Sequence, residues 1–329
     1  MADILVGDIG GTKTTLAGVS PERGSRDLLG RKTFSSPHFS SLESIIEEFL
    51  AGTDLVIDRA VFGIAGPVRE GGVRTTNLSW HVEEARLAEV FGFSSVCFMN
   101  DIEAMAAGVL HLDGSELFAL NKGKAEKEGA IAVIAPGTGL GEGFLVRDGG
   151  RYKAFPSEGG HVDFAPKSLP ERDLLTYLTG QFGHVSYERV CSGPGISHIY
   201  ANLKRSGYGE EPAWLSQELS AAGDRTPVIV NAALDEERSC ELCARALDQF
   251  VSILGAEAGN LALKVLATGG VYIGGGIGPR ILPFLQKEIF MESFRDKGRY
   301  TQLMEKIPVH VILNPDVALF GAAGQALER

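Results

Sequence analysis

Asp3-Ile4-Leu5-Val6-Gly7-Asp8-Ile9-Gly10-Gly11-Thr12-Lys13-Thr14-Thr15-Leu16-Ala17-Gly18-Val19 lies at the start of the chain and decides its architecture. Residues 3–9 are an apolar run, Gly10 and Gly11 interrupt it, and residues 14–19 resume it. This pattern predicts two strands joined by a tight glycine turn. The theme returns at residues 130–146, where Ala130–Ala135 meets Gly137, Gly139, Gly141 and Gly143 before Phe144–Val146. Each copy puts a glycine hairpin at the start of an α/β unit, and two such units facing each other would make a nucleotide cleft.

Around these runs, Leu42, Ile45, Ile46, Phe49 and Leu50 recur at helical spacing, with Ser40 and Glu43 as a capping box. Strands are expected at 60–65, 95–99, 271–273 and 309–313. Helices are expected at 82–91, 101–110, 171–182, 184–191, 195–205 and 239–266, with another after Pro279. Asn314-Pro315-Asp316 can cap a terminal helix. No long structureless linker appears, so the domains are expected to pack around one cleft.

The chain has 329 residues, 44% hydrophobic and 22% charged, with mean hydropathy near zero. That composition excludes disorder and suits about two domains. Its 42 glycines exceed the usual share of about 7% and point to loops where backbone approaches a ligand closely. A formal charge of −11 disfavours nucleic acid as a partner. The first residues have no basic region, and Asp3 and Asp8 interrupt the apolar run, so no signal peptide is expected. Leu261–Ile277 is too polar and glycine-rich for a membrane span. Four cysteines make no disulfide framework; Cys240 and Cys243 read as one turn of helix surface rather than zinc ligands. The expected compartment is the cytoplasm.

Five elements are candidates for carrying chemistry. Asp8-Ile9-Gly10-Gly11-Thr12 can aim backbone amides at phosphate oxygens, with Asp8 holding Mg²⁺ through water; an ordinary glycine hairpin reads equally well. It is no P-loop, since Thr12 precedes Lys13 and no helix follows. Gly137-Thr138-Gly139-Leu140-Gly141 suits a second phosphate turn and lacks the dinucleotide fingerprint. Asn100–Asp101 stands where a strand ends and a helix begins, the usual place for a ligand in α/β folds and also for a plain helix cap. Ser157-Glu158-Gly159-Gly160-His161-Val162-Asp163 can present Glu158 and His161 to one ligand. Ser186-Tyr187-Glu188-Arg189-Val190 puts a carboxylate one turn after His184, where a solvated helix face is the commoner reading.

In order and spacing, DIGGT at 8–12, GTGLG at 137–141, SEGGHVDF at 157–164, SYERVCSGPG at 186–195 and GGVYIGGGI at 269–277 resemble the bacterial ATP-dependent glucokinase family. The resemblance covers almost the whole chain. It implies a two-domain actin-like, hexokinase-like ATPase fold with ribonuclease H-like halves and a central interdomain cleft, as in the superfamily of sugar kinases, heat-shock protein 70 and actin. It implies a small domain of residues 1–110 plus 314–329 and a large domain of residues 111–313.

The resemblance also assigns roles. Asp101 is the expected catalytic base. Asn100, Asp101, Glu158, His161 and Glu188 are the expected sugar ligands. Asp8, Gly10, Gly11, Thr12, Gly137, Thr138 and Gly139 match the phosphate turns, and Gly274, Gly275 and Gly276 match the adenosine side. Mg²⁺ with ATP, glucose as acceptor and a homodimer follow from the same resemblance, as does a structural role for Cys240 and Cys243. Alternatives are a kinase of another hexose and a non-catalytic sugar sensor. A related repressor would need a helix-turn-helix ahead of residue 3, and its kinase relatives carry a zinc-binding cysteine cluster soon after the equivalent of His161. The next cysteine here is Cys191.

Overall fold

The structure is a computed structural model that describes residues 2–74, 78 and 80–328. Its strands are β1 (Asp3–Ile9), β2 (Lys13–Val19), β3 (Leu28–Ser35), β4 (Ile57–Ile64), β5 (Gly72–Arg74), β6 (His81–Glu83), β7 (Ser95–Asn100), β8 (Leu117–Asn121), β9 (Ile131–Pro136), β10 (Leu140–Asp148), β11 (Arg151–Ser157), β12 (Gly270–Ile273) and β13 (Val309–Ile312). They form a five-stranded sheet of order β3-β2-β1-β4-β7, a six-stranded sheet of order β11-β10-β9-β12-β13-β8, and the small ribbon β5-β6. One compact unit comprises Met1–Leu117, Gly143–Pro156 and Asn314–Arg329; the other comprises Phe118–Glu142 and Ser157–Leu313. The first unit therefore runs past residue 110 and takes in residues 143–156, because Gly143 packs directly on Ile102.

Alternation along β1 sorts its residues between two cores. Leu5 and Ile9 join Leu16, Phe62 and the helix Leu42–Ala51 on one face. Ile4 and Val6 join Val61 and the helix Val317–Glu328 on the other. Asp8 shares the parity of Ile4 and Val6, so it belongs to the face covered by the terminal helix and by Asp101–Val109. Those two helices meet through glycine. A Cβ on Gly108 would collide with the Val317 carbonyl, and one on Gly321 with the Ala104 carbonyl, both far inside van der Waals range. Backbone cannot yield as a side chain can, so Gly321→Leu is expected to cost about 3 kcal/mol or more. Its melting temperature should fall by roughly 6–12 °C; a melting curve that superimposes on the wild type would refute the close-packing argument.

In the second unit, the helix Glu241–Val265 is buried along most of its length, and Gly255 and Gly259 let it close on the carbonyls of Phe290 and Phe294. Its N-cap is Cys240, whose Sγ accepts from Cys243 N at 3.4 Å. Both thiols are buried in the core, a correction to the expected helix surface. Among the described residues no helix is long and apolar enough to cross a membrane.

Several local expectations are revised. The helix at 42 is capped by Ser41, which accepts from Ser44 N, rather than by Ser40. Residues 81–83 are strand before the helix Glu84–Phe91 begins. Residues 184–191 are not a helix: only Tyr187–Arg189 make a 3-10 turn. The chain there is held extended by pairing with residues 162–164, through Phe164 N to Val185 O and Tyr187 N to Val162 O. The helices Ala213–Ala221 and Thr226–Leu234 fall outside the expected helical segments.

Candidate active site

The site residues of the first unit follow from strand register. β1, β4 and β7 are parallel neighbours, and Ile9 pairs with Ile64, which pairs with Asn100. The three carboxyl ends therefore stand level, which brings Asp8 and the Gly10–Thr12 turn to the edge where Asn100 and Asp101 leave β7. Ligands in open α/β sheets gather at this edge.

The turn is fastened from outside the motif. Gly10 N donates to Lys13 O at 3.0 Å and Ser36 N to Thr12 O at 3.1 Å. The Ser36 hydroxyl donates to Gly10 O at 2.7 Å and meets Thr14 Oγ1 at 2.9 Å. Ser36 is buried, and nothing in the motif announces it.

Asn100 is the N-cap of the helix Asp101–Val109. Its Oδ1 accepts from Ile102 N at 3.0 Å and Glu103 N at 3.4 Å, and its Nδ2 donates to Gly66 O at 3.2 Å. Glu103 reciprocates on Asn100 N, completing a capping box. The cap thus orients the amide and leaves its second N–H for another acceptor. Asp101 follows at the first helical position, with Oδ1 taking Ile102 N at 2.9 Å. The helix N-terminus favours the ionised carboxylate there.

Asp8 is raised from the ordinary carboxylate range to about 6, by burial first and then by the charge of Asp101; Lys13 opposes this and Asp316 adds to it. Asp316 is a component the motif reading missed. It precedes the terminal helix, accepts from Arg31 Nε at 2.7 Å, and has its own N–H bound to Asn314 Oδ1 at 2.8 Å.

In the second unit, β9 and β12 are parallel, with Ile134 opposite Ile273. Gly274 N donates to Ile134 O at 2.8 Å, so Gly274–Gly276 start beside the Gly137–Gly139 turn that leaves β9. That turn closes on itself through Gly137 N to Gly139 O at 2.8 Å, and Gly137 O accepts from Gly193 N at 2.8 Å, at the start of the helix Gly193–Arg205. Thr138 at its tip is exposed.

The pairing of 162–164 with 185–187 also gathers Glu158, His161 and Glu188. His161 Nε2 lies 3.8 Å from Glu158 Oε2, and its Nδ1 lies 3.9 Å from Glu188 Oε1. Glu158 and His161 are 75% and 60% exposed at their side chains, open to a ligand. Glu188 is more enclosed, and its Oε2 accepts from Leu140 N at 3.0 Å. It occupies the space a Cβ on Gly139 would need. One carboxylate therefore links the glycine turn to the Glu158–His161 segment. His184, expected one helical turn from Glu188, instead bonds Asp163 at 2.9 Å.

Among the described residues no three His, Cys, Asp or Glu side chains form a metal-holding group.

Parallel strands that end in glycine turns beside carboxylates, on two sheets, define the two-domain actin-like ATPase fold of the sugar kinases. The family model described as Glucokinase matches residues 5–329, and the chain belongs to the glucokinase family. It is 41% identical to the glucokinase of Synechocystis, over 98% of this chain and 97% of that one. It is 37% identical to the glucokinase of Photorhabdus laumondii, over 97% and 95%. Among solved structures, a glucokinase from an Antarctic psychrotroph is 33% identical and covers 100% of both chains, with a TM-score of 0.84.

Proposed function

We propose that this chain is a glucokinase that transfers the γ-phosphoryl group of ATP to the 6-hydroxyl of glucose, giving glucose 6-phosphate and ADP. The observation that carries the reading is the level ending of β1, β4 and β7, which sets Asp101 beside Asp8 and the Gly10–Thr12 amides. Phosphoryl transfer asks mainly for positioning and charge stabilisation. Asp101 accepts the proton of the attacking hydroxyl. Asn100, Asp101, Glu158, His161 and Glu188 bind the sugar hydroxyls, and a set of fixed polar partners rejects analogues that lack one. Gly10–Thr12 and Gly137–Gly139 hold phosphate oxygens with backbone N–H groups, and Gly274–Gly276 border the adenosine.

Mg²⁺ enters with ATP as part of the substrate. Asp8 fits it as a hard oxygen donor acting through water. When bound, the ion would neutralise charge on the phosphate oxygens. The working protein is proposed to be a cytoplasmic homodimer.

The test is ADP release from Mg-ATP with glucose, fructose, mannose, N-acetylglucosamine and 6-deoxyglucose. Turnover on glucose and none on 6-deoxyglucose is expected. Turnover confined to another hexose would replace the substrate, and silence with every sugar would overturn the kinase reading.

A further inference from the structure

Glu142 is fully buried, at 0% exposure, and neither of its carboxyl oxygens has a hydrogen-bond partner. It occupies the space beneath Gly159: a Cβ there would fall on Glu142 Oε2. The adjacent wall has the same origin, since a Cβ on Gly160 would strike the Leu140 carbonyl. The first residues of β10 thus underlie both glycines between Glu158 and His161, while Leu140 N holds Glu188.

Glu257, near enough for its charge to act on Glu142, is also at 0% exposure and takes Asn260 Nδ2 at 2.8 Å and Lys264 Nζ at 3.0 Å. Asn260 in turn meets Tyr187 Oη at 3.1 Å and accepts from Lys297 Nζ at 2.7 Å. Two buried carboxyl groups that face each other need a proton between them or a cation. Glu257 already has its donors, so the proton belongs on Glu142.

We propose that Glu142 is a positioning residue for the sugar-binding segment, a neutral carboxylic acid that props the Gly159–Gly160 turn against the Glu257–Asn260–Lys264 network and so sets Glu158 and His161. The proposal rests on the reading of Glu158 and His161 as sugar ligands.

Burial and the charge of Glu257 push the Glu142 carboxyl well above its ordinary range, against the pull of Lys264. Other titratable groups around the pair are Tyr187 and Cys191, both raised by burial and by Glu257, and Lys297, lowered chiefly by burial. Glu171 adds its charge at Cys191. For a group that is raised on folding, the stabilisation is complete below its unfolded value and is lost as pH climbs through the folded one. The window here runs from 4.5 to about 8. Ionised Glu142 would repel Glu257 and loosen the turn at alkaline pH.

Two variants test this. Glu142→Ala should raise the KM for glucose about tenfold with the KM for ATP unchanged. Glu142→Gln keeps the shape and a neutral donor; it should restore the glucose KM and remove the alkaline rise that the wild type shows in that KM. The protection factors of the amides across residues 157–163, read without sugar and so corrected for the intrinsic base-catalysed rise in exchange, should fall from about pH 6 to about pH 9 in the wild type and hold steady in Glu142→Gln. A merely structural Glu142 would lower the melting temperature of Glu142→Ala and move none of these. An unchanged glucose KM in Glu142→Ala, or exchange in Glu142→Gln that tracks the wild type, overturns the proposal. If Glu142→Ala fails to fold, the Glu142→Gln exchange profile decides alone. A wild type inactive on glucose that shows the expected exchange behaviour overturns the substrate reading and leaves the positioning role supported.

Discussion

Asp101→Ala is expected to lower kcat by a factor on the order of 10²–10⁴, the contribution of a positioned general base, while glucose still binds. The fold should survive, because Asn100 and not Asp101 provides the cap and the capping box stays intact. The lost helix-end charge costs only about 0.3–1 kcal/mol. Asp101→Asn, which keeps the shape without a basic carboxylate, should lose as much turnover as the alanine variant. Single-turnover kinetics with matched glucose binding measurements separate chemistry from affinity. A kcat within about threefold of the wild type in both variants would remove Asp101 from the proton transfer, given the size of the effect argued for. A secondary consequence concerns Asp8: removing the Asp101 charge takes away one of the causes that raise it. The pKa of Asp8 should therefore move back toward the ordinary carboxylate range in either variant, readable by carboxyl NMR.

Glu188→Ala should reduce kcat/KM about 10- to 100-fold and, unlike loss of the other proposed sugar ligands, should weaken ATP as well as glucose. The reason is its second duty. Its Oε2 is the acceptor for Leu140 N beside the Gly137–Gly139 turn, and an enclosed N–H left without a partner costs about 1–3 kcal/mol. Glu158 is largely exposed, so Glu158→Ala should raise the KM for glucose alone. Glu188→Gln retains an oxygen that can accept from Leu140 N, and should recover the ATP KM while the sugar defect persists. Equal and purely glucose-linked losses in Glu158→Ala and Glu188→Ala would show that Glu188 does not couple the two segments.

These predictions draw unequally on sequence and structure. The glycine turns at 10–12 and 137–139 were legible because a tight turn advertises itself in adjacent residues. Asn100 and Asp101 were legible as a strand-to-helix junction, and the structure shows that the bland reading and the chemical one coexist: the amide caps the helix and keeps an N–H to offer. Glu188 was misplaced on a helix because 184–191 has helix-compatible residues, and the partner that holds it extended lies at 162–164. Non-local pairing outweighed local propensity there.

Ser36, Glu142 and Glu257 carried no sequence signal, and Asp316 read only as part of a helix cap. Ser36 reaches Gly10 across 26 positions, and Glu142 reads as one more residue in a glycine-rich run until Gly159 is found above it and Glu257 near it.

By itself, the amino-acid sequence determined the kinds of element in this protein, the glycine turns that end them and, through long ordered runs, the family to which it belongs. These depend on φ/ψ preference and side-chain alternation over a few neighbouring residues. Only the tertiary structure decided which turns share a sheet edge and which buried carboxyl group lies under residues 158–161. Register between β1, β4 and β7, and the approach of β10 to residues 157–161, are set by hydrogen-bond ladders and packing between stretches far apart in the chain. No local pattern encodes such distances, because the free energy that selects them exists only once the core has closed.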